Sequence, residues 1–341
     1  MRLTVLEPGR LDRFLAAAEP AVSRARWEAW IDEGRVAVNG VAATKGGHKL
    51  RAGDVVETEA PELQPPARHV AGEDLDLTTL FEDDRLWIVD KPSGMVVHPG
   101  PGHAGGTLLN ALVGRVGSGL DTVPAEALPD GEDEGGEDEG GDEGDEESRS
   151  PYPGLVHRLD RYTTGCIVMA KDLEAWTALQ AQFKARTVEK RYLALVRHSR
   201  KLPELGSLLV DQPIARHKVD RLRMTIAAAG RPAQTRFRVL ARTPQAALVE
   251  CELLTGRTHQ IRVHLQHLGA PLFGDALYGG ARRWLDAERR PLDMPHPLLH
   301  AWKLAVDHPG DGRRIQAVAP LPAAFREAAE RFGLALPPEP A

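Results

Sequence analysis

The chain has 341 residues, enough for two domains or for one large and one small. Hydrophobic residues make up 42%, sufficient for a core, and the two cysteines, Cys166 and Cys251, form no CxxC pair, which argues against a disulfide scaffold or a structural zinc site and fits a reducing compartment. The net charge of −6 misleads, because residues 130–147 hold twelve Asp and Glu and no Lys or Arg, and without those twelve negative charges the remainder carries +6.

Residues 183–264 hold seventeen Lys and Arg against six Asp and Glu. A basic stretch of this kind supplies salt-dependent attraction to phosphate backbones, although an ordinary solvated charged face has the same composition. The first residues, Met1 to Gly9, lack the apolar run of a signal peptide, and no window reaches the ~18 apolar residues of a membrane helix. A cytoplasmic protein with no membrane association is expected.

In chain order, residues 1–60 read as a small separate unit. Leu11, Phe14 and Leu15 have helical spacing. Ser23 is placed to cap a second helix from Arg24 to Glu33, which Gly34 would end. Asn39-Gly40 between short β-prone runs signals a hairpin, and Gly53-Asp54-Val-Val leads into a further strand. Together these make a compact αα-β unit. The ordered wording Arg-Leu-Asp, Ser-Arg, Gly-Arg-Val-x-Val-Asn-Gly and Gly-Asp-Val-Val resembles the S4 RNA-binding module over about 50 residues. That resemblance makes Arg10, Arg13, Arg24, Arg26 and Arg35 candidates for an RNA face. Residues 1–60 balance at nine basic and nine acidic side chains, so only clustering on one face could create such a surface.

Residues 61–76 are proline-rich and polar and read as a linker. The second domain spans 77–335 and is interrupted at 118–152, whose Gly/Asp/Glu repetition lacks the apolar surface to offset ordering entropy. This insert is expected to be a disordered, solvated surface loop. Around it, Leu86–Asp90, Cys166–Ala170, Tyr192–Val196, Thr235–Leu240 and Ala247–Leu254 read as strands. Asp172 is expected to cap a helix through Arg186. Thr258 is expected to cap another through Leu268, ended by Gly269, with Ile261, Leu265 and Leu268 on one face. Strands outnumber helices without a βαβ rhythm, so the fold class is α+β with a mixed, mainly antiparallel sheet.

Phosphate-cradling glycine loops and Gly-x-Ser-x-Gly are absent. His259, His264 and His267 have no Glu or Cys partner at a zinc-like spacing, so their helix reads as a polar surface and no metal is expected. In His157-Arg158-Leu159-Asp160 two potential cations precede a carboxylate, with Thr163-Thr164-Gly165 following. Taken alone, Asp160 could simply cap a turn. Tyr192 could equally be a core strand aromatic, and Arg262 a surface cation.

The full segment, Gly154-Leu-Val-His-Arg-Leu-Asp160-Arg-Tyr-Thr-Thr-Gly165, closely resembles the catalytic motif of the RluA-type family of RNA pseudouridine synthases. Further blocks follow in the family's order: Asp90 to Pro99, Lys190 to Val196, Thr255 to Leu265, Gly274 to Gly280 and Leu299 to Pro309. An S4-like module in front is similar to the members that act on large-subunit ribosomal RNA. The resemblance implies isomerisation of uridine to pseudouridine without cofactor or metal, in 23S ribosomal RNA or the assembling large subunit, by a monomer. It implies Asp160 as nucleophile, Arg262 as its basic partner, Tyr192 as the active-site aromatic and Arg158 as the residue that intrudes where the target base leaves its helix. His157, Arg257 and His259 are candidate substrate contacts.

The residue types suit this chemistry. Cleaving a nucleoside bond builds positive character at C1′, which a fixed carboxylate can stabilise or attack. A neighbouring guanidinium keeps that carboxylate ionised in a desolvated site, and an aromatic face stacks an extruded base at about 1–3 kcal/mol. Two rival readings are a non-catalytic RNA-binding or ribosome-assembly factor that retains the fold, and a nucleoside-bond hydrolase. An intact Asp160, Tyr192 and Arg262 set opposes the first, and the lack of a second acid/base carboxylate near Asp160 opposes the second. Three departures from the family pattern stand out. Arg161-Tyr162 should alter the rim of the site, Val306 should be a packing change, and the acidic insert lies directly before the catalytic segment.

Overall fold

The computed structural model describes residues 2–6, 8–18, 24–58, 67–99, 103, 105–117, 122–124, 154–204, 206–220, 222–286 and 288–338. Two compact units emerge, Met1–Pro65 and Pro66–Ala341.

In the first unit, helices Leu11–Ala18 and Arg24–Asp32 pack with a four-stranded sheet. Strands Val36–Val38 and Val41–Ala42 are joined by Asn39-Gly40, both at positive φ (53° and 79°), the geometry a two-residue hairpin turn demands and Asn-Gly supplies at little strain. Leu11, Leu15, Trp27, Ile31, Val36 and Val56 form the core. Ser23, expected as a cap, lies outside the described residues. The second helix ends one residue before the expected Glu33, and Gly34 (φ 72°) follows.

The second unit is built on one mixed sheet. Its strands, in chain order, are β1 (Thr78–Glu82), β2 (Leu86–Lys91), β3 (Thr164–Ala170), β4 (Glu189–Arg197), β5 (Gly206–Asp211), β6 (Gln234–Arg242), β7 (Ala246–Leu253), β8 (Leu299–Asp307) and β9 (Arg314–Val318). The spatial order is β5-β6-β7-β4-β8-β3-β2-β1, with β9 also on β8. Only β3 and β8 run parallel; every other pairing is antiparallel. The expected mixed, mainly antiparallel α+β arrangement is therefore present.

Alternation along the central strands builds a core on each face. Trp87, Val89, Ile167, Met169, Tyr192, Ala194 and Val196 pack on one side with helix α1 (Leu108–Val116) and residues of helix α3 (Gln260–His267). Ile88, Cys166 and Val168 pack on the other with helix α2 (Leu173–Ala185), and Leu193 and Leu195 with helix α4 (Ala323–Arg331). Asp172 caps α2 by accepting from Ala175 N–H, as expected, and Arg186 closes it in the left-handed conformation. Val306 is fully buried in the second core. Among the described residues no helix is long and apolar enough to cross a membrane.

Two expectations need correction. Residues 67–76 do not behave as a linker. Ala67–His69 pairs with Thr122–Pro124, Val70 is buried, the Asn110 side chain donates to Ala71 O, and Glu73 accepts from Gly106 N–H. The same pairing makes 122–124 a strand inside the stretch expected to be loop. The sequence showed prolines and charges there, but partners more than 30 residues away set the conformation. Residues 130–147 lie outside the described residues.

The parallel contact between β3 and β8 sets the centre of the sheet. Gly165 is paired with Ala301 there, and a Cβ at Gly165 would lie 2.2 Å from the Ala301 carbonyl oxygen. Only glycine admits that approach. One residue earlier, the Thr164 hydroxyl is 2.8 Å from Nδ1 of fully buried His300, whose Nε2 lies 3.3 Å from the Ala319 carbonyl. A carbonyl only accepts, so Nε2 carries the proton and Nδ1 accepts from Thr164.

Burial pushes the His300 pKa down from 6.5 to about 4. Between those values the unfolded chain binds a proton that the folded one refuses, so stability falls as pH drops from 6.5 towards 4. The contribution is about 1.4 kcal/mol per pH unit. Denaturant titrations of wild type and His300→Gln between neutral pH and pH about 4.5 should show the variant's slope reduced by about one proton; identical slopes would rule out a neutral buried His300.

Candidate active site

Asp160 stands where the segment 154–163 enters β3. Leu159 anchors the turn in the core, and Thr163 N–H closes it by donating to the Asp160 carbonyl at 3.0 Å. The carboxyl group is left with its side chain 27% exposed. Beneath it, Lys91 ends β2 with no exposed surface, its Nζ donating to the carbonyls of Pro92, Met95 and Arg161 at 2.9–3.1 Å. Lys91 thus ties the loop after β2 to the residue that follows Asp160. Burial pushes its pKa down to about 7 against the opposing charges of Asp160 and Asp90.

The second wall is the turn into α3. The expected Thr258 cap is not formed. His259 occupies the cap position in the left-handed conformation (φ 55°, ψ 18°) without a side-chain cap. The organising side chain is Gln260, whose Oε1 accepts from Thr255 Oγ1 and Arg257 N–H and whose Nε2 donates to Gln234 O and Thr235 Oγ1. All four bonds are 2.8–3.0 Å, a complete set for one amide. A left-handed non-glycine residue held by such a network is a recurrent feature of functional turns.

One helical turn on, Arg262 is buried between two carboxylates. Its Nε and Nη2 donate to Asp275 at 2.8 and 3.0 Å, and its Nη1 donates to Asp160 Oδ2 at 3.0 Å. Asp275 is 1% exposed, and the Tyr278 ring lies under the guanidinium at 4.9 Å. Burial works against the Arg262 charge, but Asp275 and Asp160 outweigh it and raise the pKa. For Asp160, burial would favour the neutral acid; the charges of His259, Arg262 and Arg158 overcome it and hold the carboxyl below its ordinary value. The result is an ionised carboxylate in a partly desolvated site. Its Oδ2 is held, and among the described residues no partner engages Oδ1.

The other expected residues are placed as follows. Tyr192 is 7% exposed on the β4 face shared with α3, and burial together with the Asp160 charge keeps its phenol protonated. His259 Nε2 lies 3.9 Å from Asp160 Oδ2. Arg158 is exposed and contributes its charge to Asp160. Arg257 is half-buried, its Nε donating to Pro232 O at 3.3 Å.

His157 points elsewhere: its Nε2 accepts from Val168 N–H at 3.0 Å and its ring stacks on Phe183 at 4.9 Å. Burial drives its pKa down to about 3, so the ring stays neutral and supports β3 rather than meeting an anionic substrate. The helix of three histidines is not a polar surface. His264 is fully buried between Thr235 Oγ1 and Gln212 O while His267 is exposed, and no group of three or more metal-ligating side chains forms among the described residues.

At the rim, Tyr162 stacks on His296 (3.8 Å, 7°) and Arg161 lies over the Tyr162 ring at 5.3 Å. In the first unit, Arg10 is bidentate on buried Asp12, Arg35 pairs with Glu33, and Arg13 is exposed; the side chains of Arg24 and Arg26 lie outside the described residues.

Asp275, Tyr278, Gln260 and Lys91 were not singled out by sequence reasoning, although each sits in an ordered block. Their partners lie far along the chain or depend on backbone geometry, which no spacing rule encodes.

The chain matches the RNA pseudouridylate synthase family over residues 85–267 and the S4 domain family over residues 9–56. It is 40% identical over 317 residues to the ribosomal large subunit pseudouridine synthase D of Nitrosomonas europaea, covering 92% of this chain and 81% of that one. To the synthase D of Pseudomonas aeruginosa it is 37% identical over 329 residues, covering 93% and 89%. Among solved structures, human RNA pseudouridylate synthase domain containing 4 is similar at 25% identity and a TM-score of 0.52, covering 76% of this chain and 95% of that one. The chain belongs to the RNA pseudouridine synthases of the RluA type and is an isomerase with an N-terminal S4 domain.

Removing one carboxylate from the Arg262 clamp leaves a buried charge half-compensated, typically a loss of about 3–5 kcal/mol. Asp275→Asn should therefore lower the melting temperature of the catalytic unit and reduce turnover more than tenfold. Wild-type stability with wild-type turnover would show that the clamp does nothing.

Proposed function

We propose that this protein isomerises specific uridines of 23S ribosomal RNA in the cytoplasm, as a monomer, with Asp160 as the nucleophile. The observation that carries the reading is the asymmetric hold on the Asp160 carboxylate: Oδ2 accepts from Arg262 while no described partner engages Oδ1. One oxygen anchors the group in its ionised form and the other is available to C1′ of the ribose. The N1–C1′ bond breaks, the uracil turns, C5–C1′ forms, and the proton on C5 is lost while N1 gains one. No external oxidant or metal is needed for that balance.

In this reading Tyr192 supplies an aromatic wall for the turned base. Arg158, exposed beside Asp160, enters the space the base vacates, and Arg257 and His259 border the same opening. The S4 unit adds RNA contacts through Arg10, Arg13, Arg24, Arg26 and Arg35. Support for a large-subunit substrate comes from relatives named as large-subunit enzymes that align over more than nine-tenths of this chain.

Two experiments test this reading. Asp160→Asn should abolish tritium release from RNA labelled at uridine C5 while RNA affinity stays near wild type; normal release would remove Asp160 as nucleophile. Pseudouridine mapping of RNA from cells with and without the gene should show one or a few 23S sites lost. An unchanged 23S map would end the ribosomal assignment.

A further inference from the structure

Two nitrogen-bearing side chains face the same oxygen of Asp160. Arg262 Nη1 is 3.0 Å from Oδ2 and His259 Nε2 is 3.9 Å from it. One short turn supports both. Asp275 takes the other two donors of Arg262, and three residues later the Tyr278 hydroxyl is 2.8 Å from His259 Nδ1. Tyr278 is 1% exposed and ends the 3-10 turn Ala276–Tyr278. Its ring packs edge-on to His259, with centroids 5.5 Å apart.

Hydrogen-bond valence assigns the protons. Met224 N–H donates to the Tyr278 oxygen at 2.8 Å, and an amide N–H has no accepting role. The phenol oxygen is therefore already an acceptor, and the phenol's own proton is directed to the other neighbour at bonding distance, His259 Nδ1. A neutral imidazole that accepts at Nδ1 must carry its proton at Nε2. That N–H faces Asp160. Burial keeps the Tyr278 phenol protonated, as this direction of donation requires.

We infer that Tyr278 and His259 form a positioning relay for the nucleophile: the Tyr278 hydroxyl fixes the tautomer and ring orientation of His259, and His259 Nε2–H closes on Asp160 Oδ2 when bound RNA expels water. The inference rests on Asp160 being the nucleophile. At 3.9 Å the Nε2–Oδ2 pair is one small movement from a charge-assisted hydrogen bond, and apo active sites commonly hold such contacts long. With both donors on Oδ2, the carboxylate is held in one orientation, and Oδ1, the oxygen assigned to C1′, is kept clear of both. The left-handed backbone at His259 is what turns its imidazole back towards Asp160 and Tyr278 together, and Gln260 holds that backbone in place.

The relay also reaches the hairpin Ile214–Arg216/Met224–Ile226, because Met224 N–H fills the phenol oxygen. Tyr278, Ile214 and Val263 share a small core with Met224 and Ile226 against it. The hairpin's register thus bears on which proton donor faces the nucleophile.

The test uses the full-length protein labelled with 15N-histidine. At a pH where His259 is neutral, its imidazole should show a proton-bearing Nε2 and a bare Nδ1, the signals being assigned with His259→Ala. Tyr278→Phe, which keeps the ring under Arg262, should broaden or shift those signals and lower kcat about tenfold, the worth of one hydrogen bond to an ionising site, with KM nearly unchanged. In a His259→Ala background the same change should cost kcat no more than twofold further, because the hydroxyl acts through His259. A merely structural Tyr278 would give additive losses or a raised KM. A proton-bearing Nδ1, or additive losses, overturns the relay. The imidazole signals need no turnover, so they are read equally in Asp160→Asn. Should that variant retain tritium release, the nucleophile assignment falls while the tautomer result still stands or falls on its own.

Discussion

A guanidinium buried between two carboxylates is the interaction on which the catalytic unit turns. Taking one charge out of water is costly, and one partner rarely compensates it. Arg262 solves this with a bidentate bond to Asp275 and a single bond to Asp160, so its planar fork is nearly filled without exposing any charge. The arrangement also sorts the two acids. Asp275 is buried with both oxygens occupied and can only support. Asp160 keeps partial exposure, and among the described residues no partner engages its Oδ1. The same cation is thus compensated in its burial and holds the Asp160 carboxylate ionised.

The fold serves that triplet with few parts. The parallel contact between β3 and β8, possible because residue 165 is glycine, brings the Asp160 turn to the middle of the sheet. Lys91 reaches under it from the neighbouring strand. Helix α3 arrives over the same sheet face with Ile261 and Leu265 in the core, which directs Arg262 inwards. The turn after it delivers Asp275 and Tyr278 three residues apart. Four segments spread over nearly 190 residues thus meet at one carboxylate, and each is held by buried hydrogen bonds that do not themselves take part in chemistry.

Two buried histidines beside the central strands serve as neutral structural groups. His300 and His157 each spend a ring nitrogen on a neighbour in or beside the central strands, and burial keeps both uncharged at physiological pH. Of the three histidines at 259, 264 and 267, His259 is the one whose ring lies near the Asp160 carboxylate. The distinction matters because His157 and Arg158 are adjacent in sequence yet diverge: the imidazole supports β3, while the guanidinium is solvent-exposed beside Asp160.

Much of this was legible in the chain. Helix and strand positions followed from periodicity and caps, because local rules such as the Asp172 cap and the Asn39-Gly40 turn act within a few residues. The identity of Asp160 and Arg262 as partners followed from ordered motif blocks, and the family with them, while the α+β class followed from strands that outnumber helices without a βαβ rhythm. What residues contact locally, and which chemistry a motif carries, were properties of the sequence. Only the tertiary structure decided the rest. It recruited residues 67–76 into the catalytic unit, turned His157 to the backbone of Val168, buried His264, and placed Asp275 against Arg262 and Tyr278 against His259. The physical reason is common to all of these. Desolvation makes every buried polar group find a partner, and which partner lies within 3 Å is set by how distant segments pack, not by any spacing along the chain.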